Sequence, residues 1–213
     1  MGSLPALRVS PPTRSFQHCG LDYAGPLQVR ASAGRGITSR KAYIALFVCL
    51  ATRAIHLELV GNYSTPAFLD AYVRFCARRG LPESIYLDNG TTFVGADKEL
   101  TLAYRAAIKD PNFLNLTVMD RVTWHFIPPS APHFGGLWEA GVRSVKYHLH
   151  RMLGKHTLTF EEVNTLLCKI ETCLKSRPLA PLHDTLDDHE ALTPGHFLIG
   201  SALTVNPEPS ILN

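Results

Sequence analysis

The stretch Ala42-Tyr43-Ile44-Ala45-Leu46-Phe47-Val48-Cys49-Leu50-Ala51-Thr52-Arg53-Ala54-Ile55-His56-Leu57-Glu58-Leu59-Val60 decides the fold. Its first nine residues are uninterruptedly apolar, the pattern of a strand covered on both faces, and Thr52-Arg53 then suits a tight turn. Beyond the turn Ile55, Leu57 and Leu59 alternate with His56 and Glu58. A third strand is therefore expected, antiparallel to this one and with one face toward the core. The uncharged run from Ala42 to Thr52 is well short of the roughly 18 apolar residues a membrane-crossing helix needs. It predicts buried strand, and no membrane partner.

Upstream, Phe16 to Val29 has the character of one strand carrying Asp22, with Gly34-Arg35-Gly36 marking the loop that follows. Downstream, Ser64-Thr65-Pro66 supplies a helix cap with Pro in the first turn, and apolar residues recur at helical spacing until Gly80-Leu81-Pro82. Ser84 to Leu87 is a short buried strand that presents Asp88-Asn89-Gly90, and Val122 to Ile127 is a later strand stopped by Pro128-Pro129. A helix is expected between them, about Lys98 to Ile108. A loop from Pro128 to Gly136, with paired glycines as a hinge, precedes a helix from about Leu137 to Met152, and Phe160 to Lys175 is a further amphipathic helix. Three antiparallel strands followed by alternating strands and helices predict an α/β fold with a mixed five-stranded sheet flanked by helices. In domain terms, residues 1–14 are a flexible lead-in rich in Pro, 15–200 one globular core and 201–213 a tail.

Composition narrows the class. Apolar residues make up 46% of the 213, enough for a buried core and too many for a disordered chain. The five cysteines are scattered, with no Cys-x-x-Cys, so neither a disulfide framework nor a structural zinc site is indicated. No secretory signal is visible at the start, which points to an intracellular protein. A net charge of +3 does not by itself identify a nucleic-acid binder, and the placement of the cations carries more.

Three acids stand in unusual positions. Asp22 lies inside a strand between apolar neighbours, Asp88 ends a strand, and Glu139 falls in the first turn of the expected helix. A carboxylate within a strand is costly to bury unless paired or metal-bound, and strand ends of α/β sheets converge on ligands. Singly, each is more simply a solvated acid, or for Glu139 a charge favouring the helix dipole. Together they would form a hard-oxygen site for Mg²⁺ or Mn²⁺, suited to two ions and to phosphodiester chemistry without a protein nucleophile. No nucleophile elbow, P-loop or dinucleotide fingerprint competes with it. Along the helix, Trp138, Val142, Val145, Leu149 and Met152 make an apolar stripe, while Glu139, Arg143, Lys146 and His150 recur on the adjacent face. Those cations would hold DNA phosphates beside the acids, against the simpler alternative that Arg143 pairs with Glu139.

The runs LDYAGPL (Leu21 to Leu27), LDNGTTFVGA (Leu87 to Ala96) and PPSAPHFGGLWEAGVRSVK (Pro128 to Lys146) resemble the integrase catalytic core of retroviruses and long-terminal-repeat retrotransposons. With RAIHLELV (Arg53 to Val60), SRPLAPL (Ser176 to Leu182) and LTPGHFLIG (Leu192 to Gly200), the resemblance is closest to the BEL/Pao group and covers nearly all of Phe16 to Gly200. It implies an RNase H-like fold with Asp22, Asp88 and Glu139 as the catalytic, metal-holding triad, and with Asn89, Arg143, Lys146 and His150 near the DNA. Fifty residues separate Asp88 from Glu139, a longer interval than in retroviral cores that leaves all three acids in place. Leu87 and Lys175 depart from the family's usual residues, Ser or Thr before Asp-Asn-Gly and Asn before Ser-Arg-Pro, at positions that are not ligands.

The implied activity is that of a polynucleotidyl transferase with endonuclease action: processing of retroelement DNA 3′ ends by water, then attack of the new 3′ hydroxyls on target DNA. The resemblance also implies a homodimer or larger homo-oligomer, assembly in the cytoplasm and action in the nucleus. Further zinc-binding and DNA-binding domains would lie outside this stretch, making it a fragment, a degenerate gene product or an excised core. Two other readings share the residues. One is an RNase H-like nuclease that only hydrolyses; the other is a domesticated, non-catalytic DNA-binding module, against which retention of all three acids argues.

Overall fold

A computed structural model describes residues 6–9, 12–32, 38–62, 64–88, 110–111, 115, 121–127, 132–153, 157–182 and 190–203, with backbone alone for Ala6, Asp88, Phe126, Ile127 and Pro132 to Gly135. Five strands form the main sheet: β1 (His18–Arg30), β2 (Ser39–Cys49), β3 (Ile55–Val60), β4 (Ser84–Asp88) and β5 (Thr123–Ile127). Their order is β3-β2-β1-β4-β5. The meander β1-β2-β3 is antiparallel, and β4 and β5 join it in parallel, as expected for an RNase H-like sheet. The expected helix near Lys98 to Ile108 lies outside the described residues, as does Asn89.

Each sheet face has its own core. Helix α2 (Thr65–Arg79) covers one, placing Phe68, Tyr72 and Phe75 against the odd-numbered residues of β1 and β2. Phe75 stacks on Phe47 with ring centroids 4.0 Å apart. Its ends are set by local chemistry: Ser64 Oγ accepts from the Ala67 N–H, and Gly80, at φ 83°, donates to the Cys76 carbonyl. The other face is covered by α3 (Pro132–Leu153) and α4 (Phe160–Lys175), whose apolar stripes meet the even-numbered residues of β2. Thr159 and Glu162 close a capping box at the start of α4. A two-stranded ribbon, β6 (Ala180–Pro181) and β7 (Ala191–Leu192), and the short α5 (His196–Ile199) follow.

Four sequence expectations change. Helix α3 begins at Pro132, not Leu137, so much of the expected hinge loop is helical and only its first residues lie outside the described set. Proline in a first turn loses no helical hydrogen bond, and tertiary contact outweighs the cost of the two glycines. Glu139 therefore sits two turns into the helix, beyond the reach of its N-terminal dipole. Met152 is 51% exposed and Leu153 turns to the core instead. On β3 both faces are buried: His56 and Glu58, expected outward, lie beneath α2. Within the lead-in, α1 (Ala6–Val9) is a single helical turn, and Leu7 packs on the α3 side of the core.

Burying those polar groups requires partners. Glu58 Oε2 accepts from Arg74 Nε at 2.6 Å, and Glu58 Oε1 lies 3.0 Å from Arg78 Nη1 and 2.9 Å from His56 Nε2. Glu171, on α4, meets Arg79 Nη2 at 2.8 Å and also Lys175. It accepts the Leu57 N–H as well, so a carboxylate satisfies an outward backbone donor of the edge strand. Burial alone pushes the Glu171 carboxyl up, but the His56 ring and the charge of Lys175 outweigh it and bring it down to about 2. Glu58 is lowered in the same way, burial being outweighed by His56 and Arg74.

Candidate functional site

The site is built where α3 crosses β1. Gly20, Asp22 and Ala24 alternate with Cys19, Leu21 and Tyr23, and the latter three belong to the α2 core. Asp22 is thereby turned to the α3 face, where it is half-buried. Its Oδ1 accepts from the Tyr23 N–H at 2.7 Å. The close approach of α3 depends on two glycines. Trp138 lies flat over Gly20, so that a Cβ there would fall 2.1 Å from indole Cε3, and Gly141 faces Val48 and Leu46 on β2. The Trp138 ring is 3% exposed and its N–H meets no acceptor among the described residues, so packing on Gly20 fixes it. Glu139, the next residue, is half-buried on the same helix.

The backbone brings the second aspartate alongside. Leu21 is registered with Leu87 across the parallel β1–β4 pair, and Asp22 and Asp88 each follow by one residue. Asp88 closes β4 opposite Ile127 of β5. Two rows earlier, Gly20, Tyr86 and His125 stand side by side, and the Tyr86 and His125 rings stack at 4.5 Å. Sequence reasoning did not single out this aromatic pair, because its members are 39 residues apart in the chain and meet only through strand register.

The expected DNA-contact residues separate along α3. Arg143, Lys146 and His150 are all exposed. Among the described residues Arg143 makes no ion pair with Glu139, so the simple pairing alternative is not the arrangement found. Lys146 and His150 rim a cavity of about 320 Å³ whose walls are Ala24, Gly25, Pro26 and Leu27 of β1 and Leu149 and Leu153 of α3. The β1–β2 register shifts between Ala24 and Leu27, and this irregular stretch forms the strand side of the cavity. Among the described residues no group of three His, Cys, Asp or Glu side chains is gathered as a metal cage. The chemistry of Asp22 and Glu139 is that of hard oxygen donors, which fits Mg²⁺ or Mn²⁺ and not a soft ion.

Solved structures place this architecture. The chain superimposes on the HTLV-2 integrase catalytic core in complex with magnesium, with TM-scores of 0.54 for its dimeric form and 0.55 for its trimeric form, at 12% identity. Those alignments cover 87% and 88% of this chain and 97% and 99% of those cores. The fold is that of retroviral integrase catalytic cores. A chain of the simian T-cell lymphotropic virus intasome in complex with the PP2A regulatory subunit B56 gamma also matches, with TM-score 0.59 and 12% identity over 100% of this chain. This chain spans 64% of the length of that one. No protein-family model and no curated protein matches the sequence.

Among the described residues no helix is long and apolar enough to cross a membrane.

Proposed function

We propose that this chain is the catalytic core of a retroelement integrase, of the BEL/Pao type, which processes the 3′ ends of element DNA and joins them to target DNA. The observation that carries this reading is the packing of Trp138 on Gly20. It seats the Glu139 helix on the face to which Asp22 points, while strand register sets Asp88 one strand away. Asp22, Asp88 and Glu139 would hold the ions. Two divalent ions bound there would ease deprotonation of the attacking water or hydroxyl and offset charge on the leaving oxygen.

The remaining residues serve position and charge. Arg143 and Lys146, exposed one and two turns beyond Glu139, hold phosphates of the DNA so that the bond to be attacked lies beside the acids. His150 extends the same line. In processing, water attacks phosphorus and the 3′ oxygen of the element strand leaves, so the terminal fragment departs with a 5′ phosphate and the element keeps a 3′ hydroxyl; in joining, that hydroxyl attacks a target phosphodiester and the 3′ oxygen of the target strand leaves. Neither step needs a covalent protein intermediate. The HTLV-2 core was solved in dimeric and trimeric forms, and this chain is proposed to act as a homo-oligomer on element and target DNA in the nucleus.

A strand-transfer and disintegration assay with Mg²⁺ and Mn²⁺ tests the proposal. Joined products from the wild type and none from Glu139→Gln are expected. Cut ends without joining would establish a nuclease of the same fold, and joining undiminished in Glu139→Gln would refute the assignment of that residue.

A further inference from the structure

Seven basic residues gather at one corner, where the chain entering β1, the Thr52-Arg53 turn and the C-terminal ends of α2 and α4 meet. Arg14 Nη1 donates to the Arg79 carbonyl at 3.4 Å, and Arg177 Nη2 to the Arg53 carbonyl at 3.2 Å. Arg74 and Arg78 converge on Glu58, while Arg79 and Lys175 converge on Glu171. Four of these cations flank Glu58 and Glu171, and Glu83 is bonded to Gln17 on the chain entering β1, so seven cations meet three carboxylates at this corner, an excess of four charges where the whole chain carries +3. Arg177 is depressed from the usual guanidinium range, first by burial and then by the adjacent charge of Arg53.

Helix C-termini favour cations, which accounts for Arg78, Arg79 and Lys175. They do not account for Arg14 and Arg53, which come from the lead-in and a turn. Among the described residues Arg14, Arg53 and Arg177 make no ion pair. Glu58 and Glu171 hold the helix guanidiniums from beneath, and the Arg74 and Arg78 side chains remain 42% and 53% exposed. A fixed guanidinium with unused N–H groups facing water is well formed for a phosphate. A protein partner would seek an apolar centre, whereas the centre here is charged, as in nucleic-acid interfaces. Asp22 is four positions along β1 from His18, about 13 Å at the usual rise, so this corner is a surface apart from the candidate site.

We propose that the corner formed by Arg14, Arg53, Arg74, Arg78, Arg79 and Arg177 is a second nucleic-acid surface, which grips the phosphates of a duplex without reading its sequence. Binding there requires no catalysis and no metal ion.

The test uses the 213-residue chain carrying Arg143→Gln and Lys146→Gln, so that the candidate site contributes little. Affinity for a random-sequence DNA duplex is measured by fluorescence anisotropy between roughly 50 and 200 mM salt, before and after adding Arg14→Gln, Arg53→Asn and Arg177→Gln. Asn suits the left-handed backbone at position 53, where φ is 58°. The additions should weaken binding at low salt about tenfold or more and flatten the salt slope by roughly 0.9 for each phosphate that is no longer held. Unchanged affinity and slope in a variant that melts like its parent overturns the proposal. If the triple addition no longer melts cooperatively, Arg14→Gln with Arg53→Asn gives the same reading, since both side chains are exposed whereas Arg177 is half-buried. Polyglutamate of matched charge that displaces the duplex as well as unlabelled duplex does would mark a surface for acidic proteins, and also overturns it.

Discussion

Gly20→Ala is the most incisive perturbation of this site, because it adds one methyl between the sheet and the helix that carries Glu139. The new Cβ would lie 2.1 Å from Trp138 Cε3, about 1.3 Å inside the 3.4 Å at which ordinary contact begins. Both partners are rigid: the methyl is fixed to a central strand, and the contact is with the ring body, not a flexible tip. The helix must therefore ride outward by about 1 Å, or Trp138 must leave its rotamer, at an overpacking cost of roughly 1–3 kcal/mol. For a chain of this size that lowers Tm by about 2–12 °C. A 1 Å displacement of a reacting group is enough to lose roughly 100-fold in rate, so strand joining should fall more than stability does. Trp138→Leu removes the ring that clashes, and the double variant should be more stable than the sum of the two single losses by at least about 1 kcal/mol. Scanning calorimetry and the joining assay on all four proteins make the measurement. Strictly additive losses, or a Gly20→Ala protein that melts and joins like wild type, would refute the view that this contact seats Glu139.

Three further outcomes are expected. Glu171 and Glu58 are both lowered in the folded protein relative to an ordinary value of 4.5, so each stabilises it above that value and loses the contribution as pH falls below it, for Glu171 across the window from 4.5 to about 2. The Glu171 share is on the order of 3 kcal/mol; urea midpoints should drop across that window in the wild type and much less in Glu171→Gln, and equal profiles would be incompatible with this account. Gly136→Ala should stabilise the protein by roughly 0.5–1 kcal/mol, since the position is helical and an added Cβ meets nothing within 4 Å; a loss of stability on melting would restore the hinge expected from sequence. Arg143→Glu with Lys146→Glu should weaken duplex binding and reduce the salt slope by roughly 0.9 for each phosphate released, as read by anisotropy, while an unaltered slope would remove both from the DNA path.

Local chemistry alone determined the strands and most helix ends of this protein. The apolar run Ala42 to Leu50 has no solvent-facing pattern and must be covered twice, and Ser64-Thr65-Pro66 and Gly80 set the limits of α2 through a hydroxyl cap and a glycine at positive φ. Likewise Asp22 and Asp88 were conspicuous because acids at a strand interior and a strand end contradict their surroundings. What tertiary structure decided was everything that depends on which segments meet. His56 and Glu58 alternate with apolar residues as solvent-facing groups do, yet they are buried, because Arg74 and Arg78 arrive from α2 to pair with Glu58 and Arg79 donates to His56 Nδ1. Pro132 to Gly136 has the composition of a loop but continues the helix, because Trp138 and Gly141 anchor α3 to the sheet and the gain exceeds the helical cost of glycine. The nearness of Asp22, Asp88 and the Glu139 helix, and the cationic corner at the far end of β1, follow from strand register and from one indole resting on one glycine. Contacts between residues dozens of positions apart have no signature in a local pattern, since the energy that selects them is the packing of whole elements.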